Sequence, residues 1–261
     1  MNKSNFLITG ISSDIGNEIA QHLLCDDSNR IIGTTRSNTC NTNAYDNRLK
    51  IIEGVDLSNE EHLDNLIDEV KGFFSDSFTL IHSVGDFWEH KSMTNTTLKE
   101  AKGMMESHYF TLYAIIQKLI PVFKQLGSGK IIALSCTSVL YNYPEMAAFT
   151  SAKAAIETLI KCTANENAKF GIVANAIALS TIRTKKVEKN KLKKFHDGYV
   201  TVDELFKVID DVINFSYLIN GNVIKLLKYN EVFYNTGYFE RNPSIEEDFT
   251  PLARVSALGK A

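Results

Sequence analysis

The chain has 261 residues, a formal net charge of −3, 44% hydrophobic and 23% charged residues. That balance excludes a disordered chain, and the slight acidity gives no electrostatic case for a nucleic-acid partner. No apolar run reaches the ~18 residues needed to cross a bilayer. Met1 to Asn5 leads straight into a strand-like run without a secretory pattern. Cys25, Cys40, Cys136 and Cys162 are scattered, with no C-x-x-C pair. The expectation is a reduced, cytoplasmic protein, without a membrane partner, folding as one domain over residues 1–261.

In chain order, Asn5 to Thr9 (NFLIT) predicts a buried strand. Ile15 to Cys25 follows with helical spacing, Ile15, Ile19, His22 and Leu23 sharing a face. Arg30 to Thr35 and Leu49 to Val55 predict the second and third strands. Ser58-Asn59-Glu60-Glu61 reads as a capping box opening a helix to about Phe74, and Thr79 to Val84 as strand four. Thr97-Leu98-Lys99-Glu100 is a second capping box, opening a long helix to Leu126 that Pro121 is expected to end or kink. Lys130 to Leu134 is strand five, Ala147 to Phe170 a helix and Ile172 to Ile177 strand six. Val202 to Phe215 is a helix and Asn222 to Leu227 the last strand.

Short, almost continuously apolar strands alternating with helices predict an α/β fold. It would be a doubly wound parallel sheet of about seven strands with helices on both faces. Its ligand crevice would lie beyond the strand C-termini. Strand one runs into Thr9-Gly10-Ile11-Ser12-Ser13-Asp14-Ile15-Gly16 and then a helix. A small-residue turn there lets backbone N–H groups approach a pyrophosphate at a helix N-terminus.

Over residues 5–227 the chain resembles the short-chain dehydrogenase/reductase family, whose opening T-G-x-x-x-G-x-G is matched by Thr9, Gly10 and Gly16. Asp14 stands where the middle glycine belongs; capping the helix is the milder reading of that carboxylate. Val55-Asp56-Leu57 resembles the family's acidic adenine contact. Ser83-Val84-Gly85 resembles its N-A-G, with serine for asparagine. Asn175 to Thr184 resembles N-A-I-x-P-G-x-x-x-T, with Pro-Gly lost and Thr184 kept for the nicotinamide carboxamide. Ile219-Asn220-Gly221 resembles the family's I-x-G. The resemblance implies a Rossmann-like fold and a nucleotide bed of Thr9, Gly10, Ser12, Ser13, Ile15, Gly16, Arg36, Asp56, Ser83, Gly85, Lys153 and Thr184. Arg36, after strand two, suits a 2′-phosphate, so NADP(H) is expected, with NAD(H) as the alternative.

The family's chemistry uses Ser, Tyr and Lys, often with Asn. The Y-x-x-x-K position reads Phe149-Thr150-Ser151-Ala152-Lys153: the lysine is present and the tyrosine is not. Counting back places Cys136 at the serine position, flanked by Ser135, and His108 at the asparagine position. Phe149 has no proton to give, so an acid has either moved, to His108, Tyr141, Tyr143 or a tail tyrosine, or the site binds without turnover. Lys153, Phe149, Cys136, His108 and Ser135 are therefore the candidate catalytic positions. The histidines and acids show no metal-ligand spacing.

The expected activity is carbonyl reduction or alcohol oxidation on a small or carrier-bound substrate; the rival is a non-catalytic nucleotide-binding sensor or partner subunit. Residues 185–215 correspond to the family's substrate segment. Lys185 to Lys194, with six lysines against one acid, is either a solvated face or a basic lip over an anionic substrate. Residues 228–261 form a C-terminal extension. A homodimer or homotetramer is what the resemblance implies.

Overall fold

The strands have apolar centres on both faces because helices cover both sides of the sheet. The structure is a computed structural model describing residues 4–37, 47–88, 90–191, 193–215 and 218–228. Its main sheet holds β1 (Asn5–Thr9), β2 (Arg30–Thr34), β3 (Leu49–Ile52), β4 (Phe78–His82), β5 (Gly129–Cys136), β6 (Ile172–Leu179) and β7 (Val223–Leu226). All pair in parallel, in the order β3-β2-β1-β4-β5-β6-β7. A separate two-residue ladder joins Ile182–Arg183 to Val200–Thr201.

The helices are α1 (Asp14–Leu24), α2 (Glu60–Phe73), α3 (Leu98–Met105), α4 (Thr111–Leu126), α5 (Ser138–Tyr141), α6 (Ala147–Asn167), α7 (Lys185–Asn190) and α8 (Val202–Asn214). Leu7, Leu80 and Ile131 point into one core with residues of α2, α4 and α6. Their neighbours Phe6, Ile8, Ile81 and Ile132 point into the other, with residues of α1 and α8. Strand order reverses direction between β1 and β4, and the crevice opens at their C-terminal ends.

Several local expectations are corrected. Helix α2 is capped by Asn59, whose side chain accepts the His62 N–H, rather than by Ser58. Ser58 instead donates to Asp56. The long helical region is interrupted at a π-helical turn over Glu106–Phe110, and Pro121 sits inside α4 without ending it. β5 and β6 extend two residues further than Leu134 and Ile177, carrying Cys136 and Leu179 to the crevice rim. The capping box at Thr97 and Glu100 forms as read. No described helix is long and apolar enough to cross a membrane. Cys40 and the tail tyrosines lie outside the described residues.

Candidate active site

The turn after β1 is built to bring backbone to a ligand. Gly10 and Ile11 donate their N–H groups to Thr34 O at 3.0 Å, and Ser83 Oγ donates to Thr9 O at 2.8 Å, so β2 and β4 clamp the turn. A β-carbon on Gly16 would lie 2.3 Å from Gly10 O, so only glycine lets α1 start this close to the strand end. Ser13, not Asp14, caps α1: its Oγ accepts the Gly16 N–H at 3.0 Å. Asp14 is the first helical residue, and its carboxylate lies 3.6 Å from Lys186 Nζ of α7.

Beyond the turn, a cleft of about 510 Å³ is walled by Val55, Val84 and Thr111, with Arg36 and Asp56 at its edge. Ser12 and Thr35 hydroxyls meet at 2.8 Å on its floor. Arg36 is held by Asp86, Nη2 to Oδ1 at 3.1 Å. The Ser58 hydroxyl and N–H on Asp56 hold its carboxyl below the ordinary range.

A second cavity of about 570 Å³ continues from Ser12, Ser13, Ser83, Gly85 and Asp86 to Lys153. Lys153 is only 7% exposed. Its Nζ donates to Leu134 O at 2.9 Å, its acceptor among the described residues. Burial pulls its pKa down to about 8, against a smaller upward pull from Cys136. The Phe149 ring centroid is 5.6 Å from Nζ. Cys136 Sγ accepts the Ser138 N–H at 3.4 Å on the cavity wall.

His108 and Ser135 are placed differently from expectation. The π-helical turn pushes Ser107 and His108 against the loop after β4. His108 Nε2 donates to Asp86 O at 3.1 Å, and Asp86 N donates to Ser107 Oγ at 3.4 Å. The edge of the imidazole holding Nδ1 packs on Gly85, and burial lowers its pKa to about 3. His108 is thus a neutral brace for residues 85–86 and a poor proton donor. Ser135 Oγ donates to Glu157 Oε1 at 2.7 Å, a carboxylate one helical turn beyond Lys153. Thr184 Oγ1 caps α7 by accepting the Val187 N–H. His82 Nδ1 lies 2.8 Å from Thr9 Oγ1.

Glu157, Asp86 and Trp88 were not legible as site residues, and Lys186 was legible only within the lysine-rich segment read as a solvated face or a basic lip. Of the first three, only Glu157 carried a signal, its i,i+4 spacing from Lys153.

Residues 10–205 match the family model described as enoyl-(acyl carrier protein) reductase. YtkK of Bacillus subtilis, named as an oxidoreductase, is 27% identical over 133 residues, 50% of this chain and 52% of its own. The chain spans about half the length of the first curated relatives it matches. A short-chain type dehydrogenase/reductase from Mycobacterium ulcerans superposes with a TM-score of 0.78 at 15% identity, covering 87% of this chain and 89% of that one. ElxO with NADP bound superposes with a TM-score of 0.77 at 22% identity, covering 85% and 96%.

Proposed function

The chain belongs to the short-chain dehydrogenase/reductase family, and on that premise we propose that it is an NADP(H)-linked oxidoreductase working without the family's tyrosine. The observation that carries this reading is Lys153. A buried ammonium with one carbonyl acceptor keeps two N–H groups for a ligand, and ribose hydroxyls are a chemically fitting partner. The missing side chain at Gly16 lets the N-terminus of α1 start against Gly10, which brings first-turn backbone N–H groups to the strand end and suits a pyrophosphate.

The first-turn N–H groups of α1 would hold the pyrophosphate, Arg36 the 2′-phosphate, and Asp56 the adenine edge. NADPH, when bound, supplies a hydride for a carbonyl carbon. The Lys153 charge would stabilise the oxyanion that develops, and a proton taken from solvent water would complete the alcohol. Cys136, at the serine position, offers only a weak thiol donor to the substrate oxygen. Phe149 packs beside Lys153 and has no proton to donate.

Phe149 also favours a second reading, a protein that binds NADP(H) and turns nothing over. NADPH and NADH binding isotherms on wild type and Lys153→Ala test the first requirement. Tight NADPH binding weakened by the substitution is expected; no binding of either nucleotide rejects both readings. Binding without turnover on a carbonyl panel would favour the sensor or partner-subunit role.

A further inference from the structure

Resting on the NADP(H) reading, we propose that the cleft takes an uncharged, ring-bearing ketone or the matching secondary alcohol, rather than a phosphorylated or carrier-bound acyl chain. Two features of the cavity lead there: an aromatic wall, and charges that already satisfy one another.

The wall is made by Phe87, Trp88, Tyr143, Met146 and Phe149. It is fixed in place. Trp88 Nε1 donates to Glu145 O at 2.8 Å, Tyr143 stacks on Tyr141 with centroids 5.6 Å apart, and Met146 packs with Trp88, Tyr143 and Phe149. Phe87 is the exception: it lines the cavity yet is 86% exposed. An uncovered aromatic ring forgoes the free energy of burial, which a flat apolar ligand laid against it would recover.

The charges are spoken for. The lysines of the lining are Lys153 and Lys186. Lys186 lies 3.6 Å from Asp14, the lining carboxylate of Asp86 is held by Arg36, and Lys153, bonded to Leu134 O, is assigned to the nucleotide ribose. Arg183, at the foot of α7, pairs with Glu188 at 2.6 Å. Among the described residues the lysine-rich segment brings one cation, Lys186, to the lining, and Asp14 already balances it, so a phosphopantetheine arm or sugar phosphate would have to displace that carboxylate. An anionic substrate would also leave Asp14 facing like charge. The cavity volume, about 570 Å³, suits a nicotinamide plus one compact ring system.

The test uses the whole protein saturated with oxidised NADP, so that a ketone binds without turnover. Titration calorimetry then compares acetophenone with acetoacetyl coenzyme A. Acetophenone is expected to bind at least about tenfold tighter. Phe87→Ser, at an exposed position that carries no folding burden, is expected to weaken acetophenone about tenfold and leave NADP affinity unchanged. Equal or tighter binding of acetoacetyl coenzyme A overturns the proposal, as does unchanged acetophenone affinity in Phe87→Ser. The preceding NADP titration tells the failures apart. If NADP does not bind, the nucleotide reading falls and takes this inference with it.

Discussion

The imidazole of His108 occupies the space that a β-carbon on Gly85 would fill, with Nδ1 and Cε1 only 2.0 Å from that point. Gly85 also sits at a φ of +154°, which side chains other than hydrogen rarely adopt. Together with the bond from Nε2 to Asp86 O, this contact makes the ring a wedge under the loop that lines the proposed nucleotide cleft. Gly85→Ala must push the ring out. The expected cost is about 2 kcal/mol of stability, with weakened NADPH binding. The double variant Gly85→Ala/His108→Ala should recover part of the melting temperature, and the backbone strain should keep it from recovering all. Thermal melts of the three proteins check this, and no recovery in the double variant would reject the wedge.

Arg36 and Asp86 form a strap across the end of the cleft proposed for adenosine. Both side chains are well exposed, so the pair adds little to stability. Its effect is on binding: a 2′-phosphate must compete with Asp86 for the guanidinium. Asp86→Asn is therefore expected to tighten NADPH severalfold while NADH changes little, and Arg36→Ala to erase the preference. Nucleotide titrations at two salt concentrations decide it, since the gain should shrink as salt screens the phosphate.

Phe149 stands one helical turn before Lys153, its ring centroid 5.6 Å from Nζ. Phe149→Tyr places an O–H beside an ammonium whose burial has lowered its pKa to about 8. A positioned general acid contributes roughly 10²–10⁴-fold, and turnover on a carbonyl panel is expected to rise by a large part of that. In wild type, any reduction that depends on the Lys153 charge should fall as pH rises through about 8, where an ordinary lysine would hold its charge for two further units. A rate flat to pH 10 would detach Lys153 from the chemistry.

Glu145 adopts a left-handed φ of +62°, and its carbonyl accepts both Trp88 Nε1 and the Lys91 N–H. Those two bonds hold the aromatic wall to the turn before α6, and a glutamate pays for the conformation sterically. Glu145→Gly relieves it and is expected to stabilise the fold by about 0.5–1 kcal/mol in chemical denaturation, without altering Trp88 emission. A destabilised variant would mean that the glutamate side chain supplies something the backbone does not.

The sheet was legible because its signal is local. Short apolar runs such as Phe6-Leu7-Ile8 in β1 read the same in sequence and in space. So did the glycine turn and the spacing of Lys153. What could not be read were partners brought together by the fold. Asp14 and Lys186 are far apart in the chain, and only the fold brings the side chain from α7 to the first residue of α1. Ser135 looked available beside Cys136, but strand alternation turns it to Glu157. His108 looked like a relocated acid until the π-helical turn, which no side-chain pattern announces, set both its nitrogens against residues 85 and 86.

His82 and His108 make acid the sensitive side of the stability curve. Burial is the main cause in each case and lowers both to about 3, with the Lys153 charge adding to it. In the unfolded chain a histidine titrates near pH 6.5, so between about pH 6.5 and 3 the unfolded state binds protons that the folded state refuses. Stability from these groups is complete above about 6.5 and falls as pH drops, by about 1.4 kcal/mol per unit for each histidine. From pH 7 to pH 5 the pair should together lose about 4 kcal/mol. The carboxylates held below their usual range by Ser28, Ser58, Lys91 and Thr201 act only below about pH 4.5, and so leave this window clear. His82→Gln should halve the slope whatever it does to the plateau, because an amide does not titrate. Urea denaturation at half-unit pH steps measures it; an unchanged slope in His82→Gln would show that His82 takes up its proton in the folded protein.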